Sequence, residues 1–200
     1  MPRTKLLRDF SRLYRLLQGG TVFCAFDTET TGLFPQYDHI IELGAVKFTK
    51  DGVLDTFNTL VNPGIPLPPV CQQVSHITDD MVRNAPDIAA VLPDFLRFAD
   101  GCVLVAHNAL FDIKFTDAAL KRCGLLALTH QAIDTLALSR WAYPENGHWK
   151  LQALAAQFGI AVTAAHRACD DARVCMEVFL RCIRDTMSQQ KPVVVERQLF

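Results

Sequence analysis

The sequence is short of charged residues and of long apolar runs, and each shortage excludes a class of protein. Only 20% of the 200 residues are charged, but 50% are apolar, which excludes a globally disordered chain. The longest stretch without a charged residue, 56–78, contains four prolines, so no membrane span and no membrane partner are expected. The formal net charge of −1 argues against a protein that coats nucleic acid through bulk electrostatics, although a local grip on a few nucleotides stays open.

The sequence also lacks paired cysteines. Its seven cysteines are odd in number and include no Cys-x-x-Cys pair, and several lie in apolar runs, as Cys24 and Cys102 do. This usage is typical of free, buried thiols in a reducing cytosol rather than of disulfides or zinc ligands. A cytoplasmic location is therefore expected.

One domain between two short flanking segments is predicted. Residues 1–20 carry five basic side chains and one acid, and their apolar residues recur at helical spacing until Gly19 and Gly20. These features predict a basic amphipathic helix that packs on the domain or contacts an anionic partner, with a transit peptide as the less favoured interpretation. The domain is expected at 21–187, followed by a C-terminal tail at 188–200.

The pattern within the domain is typical of a mixed α/β sheet covered by helices. The predicted strands are Thr21–Phe26, Ile40–Phe48, Leu54–Asn62 and Cys102–Ala106. Helices are expected at 86–98, 111–123, 135–142, 150–158 and 167–187. Pro93 is expected to kink or restart the first of these helices.

Acidic residues are placed where strands end and helices begin. Asp27 and Glu29 close the first strand, and the strand period of two puts both carboxylates on one face. Asp112 lies at the start of the helix after the fourth strand, and Asp171 lies near the start of the last helix, close to His166. An acid in the first turn of a helix also has an ordinary explanation in the helix dipole. Together the four carboxylates predict a pocket for two divalent cations, Mg²⁺ or Mn²⁺, that supports phosphodiester cleavage.

Three segments resemble, in order and spacing, the three exonuclease motifs of the DEDDh, or DnaQ-like, 3′–5′ exonuclease family: Asp-Thr-Glu-Thr-Thr-Gly-Leu at 27–33, His-Asn-Ala-Leu-Phe-Asp at 107–112 and His-Arg-Ala-Cys-Asp-Asp-Ala at 166–172. Within this family they look most similar to the epsilon proofreading subunits of bacterial DNA polymerase III and to the exonuclease domain of Gram-positive replicative polymerases. The resemblance implies an RNase H-like fold with a five-stranded mixed sheet flanked by helices. It also implies hydrolysis from a free 3′ end, which releases nucleoside 5′-monophosphates.

The resemblance further implies a role for individual residues. Two metal ions would be bound by Asp27, Glu29, Asp112 and Asp171, and His166 would be the general base for the attacking water. Substrate contacts are implied for Thr28, Thr30, Leu33, His76, Asn108 and Phe111. The contact of His76 stays open, because epsilon-like relatives often carry the histidine one position earlier.

The function expected from these features is a DNA 3′–5′ exonuclease that acts on single-stranded or frayed 3′ ends. It would serve either as the proofreading subunit of a replicative polymerase or as a free-standing repair enzyme. An RNA-trimming exonuclease is the alternative, because discrimination between the sugars depends on contacts to the 2′-hydroxyl. A non-catalytic, polymerase-associated scaffold is the alternative from another class.

Two further expectations concern the C-terminal part of the chain. The last three residues, Gln198, Leu199 and Phe200, resemble a shortened sliding-clamp peptide, with an ordinary chain end as the alternative. On a continuous helix Asp170 would share a face with His166, whereas the family pattern selects Asp171. The family pattern and helix geometry are compatible if His166 precedes the helix. Asp170 is then expected to face outward as a favourable charge at the helix N-terminus.

Overall fold

The computed structural model describes residues 4–188, so the predicted clamp peptide at 198–200 lies outside the described residues. Its strands are β1 (Lys5–Leu6), β2 (Phe23–Thr30), β3 (Ile40–Thr49), β4 (Gly52–Leu60), β5 (Val103–Ala106) and β6 (Gln131–Asp134). Its α-helices are α1 (Leu13–Gln18), α2 (Pro69–Ser75), α3 (Asp79–Val82), α4 (Ile88–Ala99), α5 (Leu110–Arg122), α6 (Thr135–Ala142), α7 (Leu151–Phe158) and α8 (Ala168–Ser188). A 3₁₀ turn, Phe10–Arg12, precedes α1.

The strands form one mixed sheet in the order β1-β6-β5-β2-β3-β4. The neighbouring pairs from β1 to β2 are parallel, whereas β3 runs antiparallel to both β2 and β4. The α/β class with flanking helices is confirmed, but the sheet has six strands and not the five that were expected. The carboxyl ends of β2, β5 and β6 meet at one edge, which is where loops and helix starts can converge on a site.

Within the described residues, the helix expected over 1–20 is wrong for residues 4–9. Lys5–Leu6 instead forms β1, because the amide groups of Lys5 and Leu7 donate to the carbonyl oxygens of His130 and Ala132 at 3.1 and 2.8 Å. Helix α1 begins only at Leu13, whose buried side chain packs in the core. Pairing with a distant strand therefore overrides the local helical spacing.

Helices cover both faces of the sheet. On one face Phe179 of α8 packs against Phe23 and Phe48, with ring centroids 5.0 and 5.8 Å apart. On the other face Phe26 of β2 packs against Phe95 of α4 at 5.7 Å. Odd-numbered residues of β2 thus face α8 and even-numbered residues face α4 and α5.

A glycine allows α8 to begin directly on the sheet. A Cβ atom on Gly44 of β3 would lie 2.2 Å from the amide nitrogen of Cys169, a distance that no packing tolerates. The first turn of α8 therefore approaches β3 closely, beside the point where Asp27 pairs with Gly44 across the β2–β3 ladder. This contact carries Asp171 to the end of β2.

The helices predicted at 111–123, 135–142, 150–158 and 167–187 are confirmed within one or two residues at each end. The helix predicted at 86–98 is also present, as α4, but Pro93 lies inside it without ending it. The short strand β6 and helix α2 were not predicted. Among residues 4–188 no helix is both long and apolar enough to cross a bilayer.

Candidate active site

The end of β2 supplies side chains to both faces of the sheet. Asp27 and Glu29 point to the face covered by α8, as the strand period predicts. Thr28 points to the opposite face, where its amide and hydroxyl both donate to Oδ1 of Asp112, at 3.0 and 2.8 Å. Thr28 is itself buried, so its hydroxyl orients a carboxylate of the site. These two bonds bring the start of α5 to the end of β2.

The start of α8 adds Asp171 and His166. Oδ1 of Asp171 accepts a hydrogen bond from Gln152 of α7 at 2.7 Å, and Oδ2 accepts one from the amide of His166 at 3.1 Å. One potential ligand atom from each of Glu29, His166 and Asp171 lies within 4.8 Å of the others. His166 is exposed, precedes α8 and has a φ of 59°, which places it in the loop that the sequence predicts.

Burial and mutual repulsion disfavour the charged forms of these carboxyl groups. Burial raises the pKa of Glu29 to about 8, and the neighbouring charges of Asp171, Glu42 and Asp112 act in the same direction. Burial raises the pKa of Asp112 to about 7 although the bonds from Thr28 oppose it, and it also raises the pKa of Asp27 and of Asp171. The metal-free site therefore holds protons at a pH where free carboxyl groups would have released them.

The donor set fits hard divalent cations. Asp27, Glu29, Asp112 and Asp171 offer only carboxylate oxygens, which Mg²⁺ and Mn²⁺ prefer, and no cysteine accompanies them in the cluster that the structure describes around Glu29. Cations placed among them would remove the repulsion that raises these pKa values. The four carboxylates are thus suited to holding metal in a way that an isolated acidic patch is not.

We expect the stability of the metal-free protein to fall as the pH rises from about 5 to about 8. Carboxyl groups of the unfolded chain titrate near 4, whereas Glu29 and Asp112 have pKa values of about 8 and about 7, so the folded state holds more protons in this window. Asp27→Asn should raise the Tm in EDTA at pH 8 by about 2–4 °C for each kcal/mol of repulsion removed. Thermal denaturation at several pH values measures both effects.

The matched control is Asp55→Asn on the exposed surface of β4, which should leave the pH dependence of the Tm unchanged. Mn²⁺ should stabilise the parent more at pH 8 than it stabilises the Asp27 variant, because the metal binds the native state. Equal stabilisation of the two proteins by Mn²⁺ would contradict a shared site.

Asp170 does not face outward, and that expectation is wrong. The side chain is buried and accepts hydrogen bonds from the amides of Thr163 and Ala164, both at 2.8 Å, and from Arg173 at 2.7 Å. Burial works against its charge, but these bonds lower the pKa of Asp170 to about 2. Asp170 thus fixes the beginning of the loop that carries His166.

Sequence reasoning missed the ion pair that fixes the end of the same loop. Glu42 of β3 is fully buried, and both of its oxygens accept from Arg167, while the amide of Ala168 donates to Oε2 at 2.9 Å. Arg167 also lowers the pKa of Glu29. A single acid within the apolar run of β3 was the available signal, because a buried carboxylate requires a partner.

The remaining residues predicted to contact substrate lie around this edge with different degrees of exposure. Leu33 is 73% exposed in the loop after β2, whereas the hydroxyl of Thr30 donates to the carbonyl oxygen of Gly32 at 2.6 Å. Phe111 packs against Phe115, with ring centroids 4.7 Å apart. Asn108 and His76 are both exposed, and both have positive φ, at 64° and 58°. The position before His76, Ser75, is buried and hydrogen-bonded to Cys71, so only His76 is available to solvent.

His107 has the structural role that a histidine after a buried strand commonly has. Its ring nitrogens contact the hydroxyl of Thr135 and the carbonyl oxygen of Trp149, both at 2.9 Å. Burial lowers the pKa of His107. It therefore ties the end of β5 to α6 and to the segment before α7, next to the loop that leads to Asp112.

A mixed sheet with four acids, two on β2 and one each on α5 and α8, and an exposed histidine beside Glu29 and Asp171 defines a metal-dependent nuclease with an RNase H-like fold. The chain belongs to the exonuclease family: residues 24–179 match the family model described as exonuclease (RNase_T). The resemblance to DEDDh exonucleases is confirmed, and the protein is a 3′–5′ exonuclease that depends on divalent metal.

Relatives and solved structures agree with this assignment. The chain is 50% identical over 163 residues to the DNA polymerase III subunit epsilon of Treponema pallidum. The aligned residues cover 80% of this chain and 76% of that protein. It is 41% identical over 184 residues to the PolC-type DNA polymerase III of Caldanaerobacter subterraneus, covering 88% of this chain but only 13% of that protein. Exonuclease X in complex with 5′ overhanging duplex DNA superposes with a TM-score of 0.67 and 26% identity, over 82% of this chain and 93% of that one.

Proposed function

We propose that the protein removes nucleotides from the 3′ ends of single-stranded or frayed DNA in proofreading or repair, using two Mg²⁺ or Mn²⁺ ions. The observation that carries the proposal is the convergence of Asp27, Glu29, Asp112 and Asp171 at the end of β2, with burial and repulsion raising their pKa values. The similarity to an epsilon subunit over 76% of that relative supports DNA as the substrate.

In this proposal the four carboxylates are the metal ligands, and their supports keep them in place. Thr28 holds Asp112 and Gln152 holds Asp171, each through hydrogen bonds of 3.0 Å or less. Ligands fixed in this way bind metal without first having to be ordered. Divalent cations bound there would supply the Lewis acidity that activates water and stabilises the leaving 3′ oxygen.

We assign His166 as the general base that accepts the proton of the attacking water. Its amide donates to Asp171, and the loop on both sides is fixed by Asp170 and by Glu42, so the backbone is held while the ring stays exposed. A base placed on a fixed backbone beside the ligands can reach the water without a large rearrangement. The proton then leaves to solvent from the exposed ring.

Leu33, Thr30, Asn108, Phe111 and His76 are proposed to contact the terminal nucleotides. The exposure of Leu33, four residues after Glu29 in the chain, supports a role as an apolar wedge between bases, and the exposed Asn108 precedes the helix that begins with Asp112 in its first turn. Thr28 is proposed to act through Asp112, since its side chain is buried.

A replicative polymerase subunit is the proposed protein partner, because the relative of highest identity named above is itself a polymerase III subunit. Such a partner would act in the cytoplasm. Binding to a sliding clamp through Gln198, Leu199 and Phe200 stays a prediction, since these residues lie outside the described part of the chain.

The test uses the purified protein with Mg²⁺ or Mn²⁺ and matched DNA and RNA oligonucleotides. With 5′-labelled DNA we expect a ladder that shortens from the 3′ end, and with 3′-labelled DNA we expect the label to appear at once as a mononucleotide. Faster shortening of RNA than of DNA would favour the RNA-trimming alternative. Absence of cleavage of both would contradict the proposal.

A further inference from the structure

The N-terminal segment forms a positively charged pocket at the outer edge of the sheet. A cavity of about 640 Å³ is lined by Leu6, Leu7, Leu16 and Gln131, and by the basic side chains of Lys5, Arg8, Arg12 and Arg15. These four basic residues, all exposed, are called the basic N-terminal surface below. Its acidic lining residue is Asp9, so positive charge prevails within the pocket.

Most of this positive charge has no acidic partner in the part of the chain that the structure describes. Within residues 4–188 the ion pair recorded for these four side chains joins Arg12 to Asp9 at 3.5 Å, and both partners are more than half exposed. By contrast, Arg83 and Arg97 elsewhere on the surface pair with Asp80 and Asp94. An array of cations left to solvent attracts a polyanion, and its counterions are released when the polyanion binds.

An aromatic pair lies beside these cations. Phe10, in the turn before α1, packs against Trp141 of α6 with ring centroids 5.8 Å apart, and Trp141 is 42% exposed. Exposed aromatic rings next to a cationic groove offer stacking surfaces to the bases of a single strand. An acidic peptide would match the charge but would gain less from an exposed indole ring.

The basic N-terminal surface lies at a distance from the catalytic edge that a nucleic acid strand can span. Strands β6 and β5 separate β1 from β2, so the spacing of about 4.8 Å between neighbouring strands gives a lateral separation of about 14 Å. Along the strand direction, Glu29 lies six residues, or about 20 Å, beyond Phe23 at the start of β2. The two separations combine to about 25 Å, which is about seven nucleotides at the duplex rise of about 3.4 Å and fewer in an extended single strand.

We propose that the basic N-terminal surface binds the phosphate backbone of single-stranded nucleic acid upstream of the 3′ end that enters the active site. The inference rests on the proposed function. It also accounts for how a chain with a net charge of −1 and an acidic catalytic edge attracts a polyanion. Strands too short to reach the surface would be bound by the catalytic edge alone.

The test compares Arg8→Gln/Arg12→Gln/Arg15→Gln with a control that loses the same charge, Arg83→Gln/Arg97→Gln/Lys121→Gln. Glutamine preserves helix propensity, and all six positions are exposed. Fluorescence anisotropy of 5′-labelled dT20 is measured in EDTA over a range of salt, so that no hydrolysis occurs. Loss of three phosphate contacts should weaken binding about tenfold or more and make the log–log salt slope shallower by about 2. The control should match the parent within about twofold.

A separate assay keeps this inference distinct from the proposed function. Cleavage of the trinucleotide dT3 with Mg²⁺ should be equal in all three proteins, and its absence in the parent would count against the exonuclease proposal alone. Equal dT20 affinities and salt slopes in the parent and the N-terminal variant would overturn the inference. So would an equal loss in the control, or displacement of dT20 by poly-L-glutamate of the same charge at equal concentration, which would indicate an acidic protein partner.

Discussion

Asp171→Asn should lower kcat by about 10³-fold or more, since a divalent cation supplies several kcal/mol of charge stabilisation at about 1.4 kcal/mol per factor of ten. The carboxylate of Asp171 lies beside Glu29 and His166, with one ligand atom of each within 4.8 Å of the others. The amide of asparagine is nearly the same size, and its single oxygen can keep the bond from the amide of His166 while Gln152 turns over its own amide group to accept from the new NH2 group. Steady-state kinetics on a DNA oligonucleotide in saturating Mn²⁺ measures the loss.

Asp170→Asn is the matched control, one residue away on the same helix turn. Its kcat should stay within about tenfold of the parent, because its oxygens accept hydrogen bonds from the loop before α8 and from Arg173, and it is not part of the cluster of Glu29, His166 and Asp171. Its Tm should fall, since the variant loses the charged partner of Arg173 and one acceptor of the Thr163–Ala164 loop. An inactive Asp170 variant together with an active Asp171 variant would refute the assignment of both residues.

His166→Ala should lower kcat by about 10²–10⁴-fold while metal binding persists, because a general base contributes that much to rate. Deleting the ring leaves the backbone amide, and therefore the hydrogen bond to Asp171, intact. Mn²⁺ should thus still raise the Tm of the variant, whereas it should not raise that of Asp171→Asn to the same extent. Kinetics and thermal denaturation, measured on the same preparations, separate the two roles.

Two outcomes would contradict the role of His166 as the general base. A variant with parental activity, or one whose Tm no longer responds to Mn²⁺, would show that His166 has been assigned the wrong role.

The sequence predicted the residues of the site better than it predicted their surroundings. The alternation of β2 correctly placed Asp27 and Glu29 on one face, because a strand has a fixed period of two. The spacing from His166 to Asp171 correctly predicted a loop before α8, because two residues five positions apart do not lie on the same face of a continuous helix. Both are local rules that apply wherever the segment lies in the fold.

The same local rules failed where a partner distant in the chain decides the outcome. Lys5–Leu6 became a strand because the carbonyl oxygens of His130 and Ala132 accept its hydrogen bonds, about 125 residues away. Asp170 turned inward because Thr163, Ala164 and Arg173 donate to it. Local spacing contains no information about which hydrogen-bond donors and acceptors from distant segments will lie near a residue in the folded chain.

The sequence alone thus predicted the four carboxylates and the histidine, through motifs that resemble those of the DEDDh exonucleases. Only the tertiary structure decided how they are held: Thr28 on Asp112, Gln152 on Asp171, and the buried Glu42 on Arg167. The physical reason is that a buried carboxylate has to be satisfied by whichever donors the folded chain brings within hydrogen-bond distance. That choice depends on the packing of α5, α7 and α8 against the sheet, which no single segment encodes.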